Sequence, residues 1–521
     1  MERVVALLPW QQAAVLAAIT LAVFSPTLSA GFVYDARLQI LTDPFLHDPS
    51  NWIPVLTFGV LRMDVLDFNR PVNLASLMLD ASVWGREPFG YHLTSILLHA
   101  ANVVLVWGVL KAPGFRPGLH GNGVASLLGP LVFALHPVVT EAVCEPTFRE
   151  DLLATGFSLG ALLLAMRHDA LTHGSDRWRA VGCMACCLLA VASKESGVAA
   201  ACIVAVYWWL FRRGEPGGFW TIAIGGGALA TAAFLVARFL LEPSTSAIFE
   251  ARPQYPGGSL AAALLIEPRI LALYAQLILF PINLCADYGL YSVRHLPLPV
   301  ALLILATLTT AAVLAIRADR RMAVAVAMIV LPLVPVANLV PIYRAAADRY
   351  LYFPMTGVAV AVGLLLDSAW LASRQRLREP ITVGLLAAVA ALGMACLERQ
   401  KVWSHSLALW EDTYRKNPVA FTAAAGLGEA LRESGRLKEA EGATREAIRI
   451  SDGKRGETWA TLALILDGQG REAEAKEALE KAFDVEPRLE DPDGRVRVLA
   501  MERTHADDLK GLMARLGLGP D

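Results

Sequence analysis

Charge is what this sequence has least of. Only 18% of its 521 residues are Asp, Glu, Lys or Arg, against 55% hydrophobic ones, and the mean hydropathy is +0.48. That balance excludes a soluble enzyme of this size, whose charged share lies near one quarter. A net charge of −2 supplies no basic excess, so nothing here points to nucleic acid as a partner. Cysteine is scarce, at seven residues. Cys183 and Cys186 have CxxC spacing, but with Cys187 they stand in an apolar run without a His or acid beside them, which reads as packing rather than a metal or redox site. Cys144 and Cys285 lie near span ends, where a disulfide between them stays open. The hydrophobic part also lacks an internal repeat and lacks acids at mid-span, both of which a transporter would be expected to show.

What is present divides in two. Hydrophobic stretches near 8–30, 91–110, 123–143, 152–166, 180–193, 196–211, 220–241, 297–316, 322–341, 351–372 and 380–397 predict about eleven membrane crossings. The end of the first stretch, Leu28-Ser-Ala-Gly31, resembles a cleavage site, yet the many later spans favour a retained helix. Arg and Lys clusters at 111/116, 167/177/179, 212/213, 317/320/321 and 374/376/378 mark alternate loops as cytoplasmic. The N-terminus is then inside, and everything after 398 is outside. The segment 264–284, apolar except for Glu267 and Arg269, does not fit as a crossing and reads as a re-entrant or interfacial element. The expected fold is all-α: a polytopic membrane domain over 1–398, then a helical domain over 399–521.

That second part repeats itself. Gly435-Arg-Leu-Lys-Glu-Ala440 recurs as Gly470-Arg-Glu-Ala-Glu-Ala475, an offset of 35 residues, close to the period of tetratricopeptide (TPR) repeats. Helix pairs are predicted over 419–452 and 456–487, with a preceding helix in 404–417 and a capping one in 492–517. Such arrays bind peptides or proteins, or serve as spacers.

Ionisable residues collect in the loops assigned to the outside. They are Asp35, Asp64, Asp67 and Arg70 in the first loop and His92 at its end; Glu141, Arg149, Glu150 and Asp151 in the second; the turn Lys194-Glu195; and Arg344 with Asp348-Arg349-Tyr350-Leu-Tyr352 late in the chain. At membrane depth such groups mark a functional site. Acids could deprotonate an acceptor hydroxyl, while Arg and Lys neutralise a phosphate. An enzyme using a polyprenyl-phosphate-linked sugar needs both in one cavity at the membrane face.

The strings Phe32-Val-Tyr-Asp35, Arg70-Pro71, Tyr91-His92, His136-Pro-Val-Val-Thr-Glu141-Ala-Val143, Arg149-Glu-Asp-Leu-Leu153, Lys194-Glu195 and Asp348-Arg349-Tyr-Leu-Tyr-Phe-Pro354 together resemble the transmembrane, TPR-containing O-mannosyltransferases. The resemblance implies a GT-C-type fold and an inverting transfer from a polyprenyl-phosphate sugar, mannose first, to a Ser or Thr of an exported protein. The short chain, few repeats and Ala- and Arg-rich composition suggest a bacterial inner-membrane member, with the tail periplasmic by the basic-loop orientation and the acceptor presented near the repeats. Asp35 would then be the base, with Glu141, Glu150 and Asp151 shaping the catalytic site. Arg70, His92, Arg149, Lys194, Arg349 and Tyr352 would bind donor phosphate and substrate. A divalent ion could bridge acids and phosphate, but no spacing demands one, and no metal ligands are assigned. The family shows two adjacent acids in the first loop, where this chain has Asp35-Ala36. The second acid is then dispensable, replaced by Glu150 or Asp151, or lost with the activity. Other readings are transfer to an envelope lipid or glycan, and a non-enzymatic scaffold or transporter.

Overall fold

The computed structural model describes residues 8–113, 115, 125–168, 175–215, 217–242, 254–289, 293, 295–372, 375–490 and 503–517. Among them the regular structure is helical throughout. The longer helices are α1 (Pro9–Phe24), α2 (Pro71–Trp84), α3 (Pro88–Lys111), α4 (Ala125–Leu135), α5 (Arg149–Met166), α6 (Ser175–Ser193), α7 (Ala199–Phe211), α8 (Gly227–Leu241), α9 (Leu260–Leu279), α10 (Leu298–Ala318), α11 (Arg321–Val330), α12 (Tyr352–Ala372) and α13 (Gln375–Val402). The tail adds α14 (Ser406–Lys416), α15 (Phe421–Glu433), α16 (Leu437–Ile450), α17 (Gly456–Gly468), α18 (Glu472–Val485) and α19 (Arg503–Leu516). Proline opens α1, α2 and α3, where the missing N–H costs nothing and the fixed φ suits the first turn.

Seven described helices are long and apolar enough to cross a membrane, and eight if the pair Leu127–Leu135 and Pro137–Cys144, bent by 50°, is one span. The chain is an integral, multi-pass membrane protein. The remaining predicted crossings fall on shorter or more polar helices: α5, α6, Glu195–Phe211 and Arg321–Val336. Burial sorts the spans. Only 6% of the apolar window of α10 is buried, leaving a belt of leucines for lipid, whereas α12 (67%) and α3 (56%) form the centre. There, small residues let backbones meet. A methyl group at Gly129 would stand 2.4 Å from the Ala359 carbonyl oxygen, and one at Gly357 2.6 Å from that of Ala325.

The stretch read as interfacial forms α9, which is itself long enough to cross. Yet polar contacts hold it along its whole length to segments near the outer-loop charges. The Tyr255 hydroxyl, just before it, donates to the Leu339 carbonyl (3.4 Å), Arg269 donates to Leu296, and the His136 ring bonds the Ile278 carbonyl (3.0 Å).

The helix α13 continues past 398 to Val402, and the chain turns through Trp403 and Ser404 into α14, which the His405 ring caps by accepting from the Ala408 amide. The pairs α15/α16 and α17/α18 follow the predicted repeat. Gly435 and Gly470, 35 residues apart, both adopt φ +76 at the turn between their helices, a conformation open to glycine at little cost. Of the predicted capping helix, 503–516 is helical and 492–502 lies outside the described residues. Cys144 and Cys285 are both free, so the disulfide left open by the sequence does not form. Cys144 Sγ lies against the Thr27 hydroxyl and Cys285 donates to the Asp287 carbonyl.

Candidate active site

The second outer loop owes its shape to prolines. Pro137 stops α4, His136 caps the following turn by accepting from the Val138 amide, and a short helix, Thr140–Cys144, carries Glu141 inward. Glu141 receives both the Arg349 guanidinium and, at 3.2 Å, the Arg349 backbone amide. The guanidinium carbon lies 4.0 Å from the centre of the Phe148 ring, so the cation is held by a carboxylate and an aromatic face together. At the start of α5, Glu150 and Asp151 both reach Lys194, at 2.9 and 2.5 Å. Arg70, at the start of α2, joins Glu150, Asp67 and Glu195. Residues separated by up to 208 positions are thus paired, and the two sets meet at Tyr350, whose ring centre lies 5.4 Å from Lys194 and 5.2 Å from Arg349.

Asp35 stands apart from both sets. Among the described residues no hydrogen bond or ion pair reaches its carboxylate. The side chain is exposed, yet protein surrounds it closely enough that desolvation pushes its carboxyl above the usual carboxylate range, against the pull of Arg349 and Arg344 and with the push of Glu150 and Glu141. Both facts describe a group open to solvent on one side and crowded by protein on the others. Its neighbours fit that position. Tyr34 has φ +51, and Arg37–Thr42 forms a π-helical turn of the kind common at functional sites. Nearby Asp67 is pushed up to about 6 by burial, although Arg70 opposes the shift.

The structure brings Asp35, Glu141, Glu150, Asp151, Arg70, Lys194 and Arg349 to one region. Three other expected site residues lie inside the helix bundle. Arg149 is fully buried, with every branch of its guanidinium committed: to Asp80 at 2.6 Å, to the Tyr91 and Ser76 carbonyls and to the Ser95 hydroxyl. The Tyr352 hydroxyl bonds His99 (2.9 Å) and Asn102 (3.1 Å) in the interior. His92 is fully buried beside Phe32. The partners of Arg149 and Tyr352 are thus internal to the bundle, and both ring nitrogens of His92 lack a hydrogen bond among the described residues.

Two contributors carried no role in the sequence reading. Glu145 is fully buried below the Asp35 loop; one oxygen accepts from the Thr147 hydroxyl (2.7 Å) and the other has no hydrogen bond. Burial drives its carboxyl well above the ordinary range, and the Ala36 amide is close enough to act against that shift. A buried acid therefore sits under the position where the resembled family carries its second one. Arg344 pairs with Asp287 at 2.5 Å and lies 5.8 Å from the Tyr34 ring centre. Its charge beside a proline-rich turn was visible in the sequence; its partner, 57 residues away, was not. No group of three or more His, Cys, Asp or Glu disposed to hold a metal occurs among the described residues, because these acids converge on cations rather than on one another.

The chain is similar to protein O-mannosyl-transferases. TMTC2 of Mus musculus is 32% identical over 198 residues, which are 36% of this chain and 23% of that protein. F38B6.6 of Caenorhabditis elegans is 21% identical over 454 residues, 84% of this chain and 62% of the relative. The first of these matches thus spans under a quarter of the relative's length, and even the longer one less than two thirds. These relatives carry the name of the family that the outer-loop motifs resemble. No family model matches the chain. The crystal structure of ArnT from Cupriavidus metallidurans in the apo state overlays 96% of this chain and 77% of its own with a TM-score of 0.43 and 15% identity, too loosely to align single residues.

Proposed function

We propose that this protein is a membrane glycosyltransferase of GT-C type that moves a sugar, mannose first, from polyprenyl phosphate to a Ser or Thr hydroxyl of an exported protein. Asp35 takes the hydroxyl proton. The acceptor oxygen attacks the anomeric carbon as its bond to phosphate breaks, inverting the centre, and the phosphate leaves with the electron pair. Arg349 and Arg344 flank the carboxylate and neutralise the phosphate as its charge develops. Lys194 and Arg70 hold Glu150 and Asp151 as charged walls of the same recess.

The observation that carries this reading is the pairing state: Glu141, Glu150, Asp151 and Asp67 each meet a cation, whereas no ion pair or hydrogen bond reaches the exposed Asp35 carboxylate among the described residues. A group free of partners is available to a substrate. The acceptor route is a cavity of about 780 Å³ beside the first loop, lined by Gly31, Phe32 and Arg37 on one side and His405, Leu407 and Glu433 on the other. It joins the membrane domain (1–398) to the repeat tail (399–521), and this supports delivery of a polypeptide along the tail. The orientation follows the basic loops: N-terminus in the cytoplasm, tail in the periplasm, in a bacterial inner membrane.

The test is transfer by the purified protein from polyprenyl-phosphate mannose to a Ser/Thr peptide. The expected product is an O-mannosyl peptide with the anomeric configuration opposite to the donor's. Retention of configuration, or no transfer from any polyprenyl-phosphate sugar, overturns the proposal.

A further inference from the structure

Asp35 is held from both sides along the chain by the tail. Four residues before it, the Gly31 amide donates to the Ser404 carbonyl (3.0 Å). Two residues after it, Arg37 bonds the Ser406 hydroxyl (2.9 Å) and pairs with Glu433. Directly before it, Tyr34 lies with its ring stacked on Trp410 of α14 (centroids 5.5 Å apart, 27° between planes) and edge-on to Trp403 (6.2 Å) and Phe148 (5.8 Å). The ring's other neighbour, Arg344, is tied to the tail as well, since both it and Thr422 bond Asp287.

The backbone at Tyr34 is the reason these contacts matter. A tyrosine at φ +51 is in a left-handed conformation that side chains disfavour, and it persists only where the surroundings impose it. Two backbone hydrogen bonds close the turn, from the Ala36 amide to the Val33 carbonyl (3.2 Å) and from the Arg37 amide to the Tyr34 carbonyl (3.3 Å). The Tyr34 hydroxyl is buried without a partner among the described residues, so ring packing alone fixes the side chain. Relaxation of Tyr34 to an ordinary extended or helical conformation would turn the next residue, Asp35, away from the recess.

We propose that α14 is a positioning element of the transfer site: through Trp410 it locks Tyr34 in its left-handed turn and so aims the Asp35 carboxylate. The proposal rests on the reading of Asp35 as the base. It makes the tail part of the reaction centre in addition to any role in receiving acceptors. Tyr34 and Trp410 touch no reacting atom in this account; they act through Asp35.

The experiment compares full-length wild type, Trp410→Ala, Trp410→Phe and Asp35→Asn in one mannosyl-transfer assay over pH, with thermal unfolding measured alongside. Trp410→Ala is expected to lower kcat by roughly 10–100-fold, the scale of a small misplacement of a reacting group, while donor KM stays put. Its acid limb should move to lower pH, because a released Asp35 regains solvent. Trp410→Phe keeps a stacking ring and should restore most of the rate. If Asp35→Asn abolishes transfer but Trp410→Ala keeps wild-type kcat and pH profile, the positioning role fails and the base remains. If Asp35→Asn transfers normally, the base reading fails, and this proposal with it. Equal losses in Trp410→Ala and Trp410→Phe that track their melting temperatures also overturn it. Should Trp410→Ala not fold, Arg37→Gln cuts a tie near the surface and carries the test, with unchanged kcat counting against the proposal.

Discussion

Asp35 and Arg149 are both charges beside apolar spans, and their fates differ because of what meets them. Arg149 finds Asp80 and four further oxygen acceptors inside the bundle. Removing one member of such a buried pair strands the other, at a cost of about 3–5 kcal/mol. Arg149→Ala should therefore fail by instability, seen as a large fall in melting temperature, with transfer per folded molecule largely kept. Asp35 fails in the opposite way. Its raised carboxyl must ionise to act as a base, so the rate should fall as pH drops through a value above the ordinary ~4; an acid limb at or below ~4 contradicts this. The sequence alone could not separate the two cases. Local spacing shows where charges stand, but whether a partner arrives from 70 residues away is decided by packing. Asp80 and Arg149 stand in different expected loops, and Glu145 carried no role in the sequence reading.

At the scale of elements, the first outer loop is poised against its own charges. Asp67 has a folded pKa of about 6, above its unfolded value of ~4. Its contribution to stability is thus full below ~4 and is lost as pH rises through about 6. Asp67→Asn should flatten that part of the profile of melting temperature against pH; an unchanged slope would show the loop is not under this strain. The repeats allow a parallel test. Gly435 and Gly470 share φ +76, and a methyl group at either meets nothing within 4 Å. Gly435→Ala and Gly470→Ala should then each cost roughly 1–2 kcal/mol from backbone strain alone, measured by denaturant unfolding, and by similar amounts. These elements were the most readable part of the chain, because a turn glycine at a fixed offset needs only local information. The 260–279 helix was less so: its composition fits either a crossing or a helix lying in the interface, and only its contacts with His136, Leu296 and Leu339 show which segments it follows.

Across the whole molecule, outer loops far apart in sequence close on one recess, and the tail is joined to it through Arg37, Tyr34 and Asp287. The motifs name the same residues, on the expectation that alternating basic loops leave the acidic ones on a common face. They did not anticipate the union of tail and first loop, which depends on two tryptophans with no periodic signature. The topology predicts that a reporter fused to the C-terminus is active outside the cytoplasm, and a cytoplasmic signal would overturn the orientation. Asp35 remains the centre of the account. The decisive measurement is mannosyl transfer from polyprenyl phosphate by folded Asp35→Asn beside wild type. Loss of a general base predicts a fall in kcat of roughly 10²–10⁴-fold with donor KM little changed, and wild-type turnover by Asp35→Asn would contradict it.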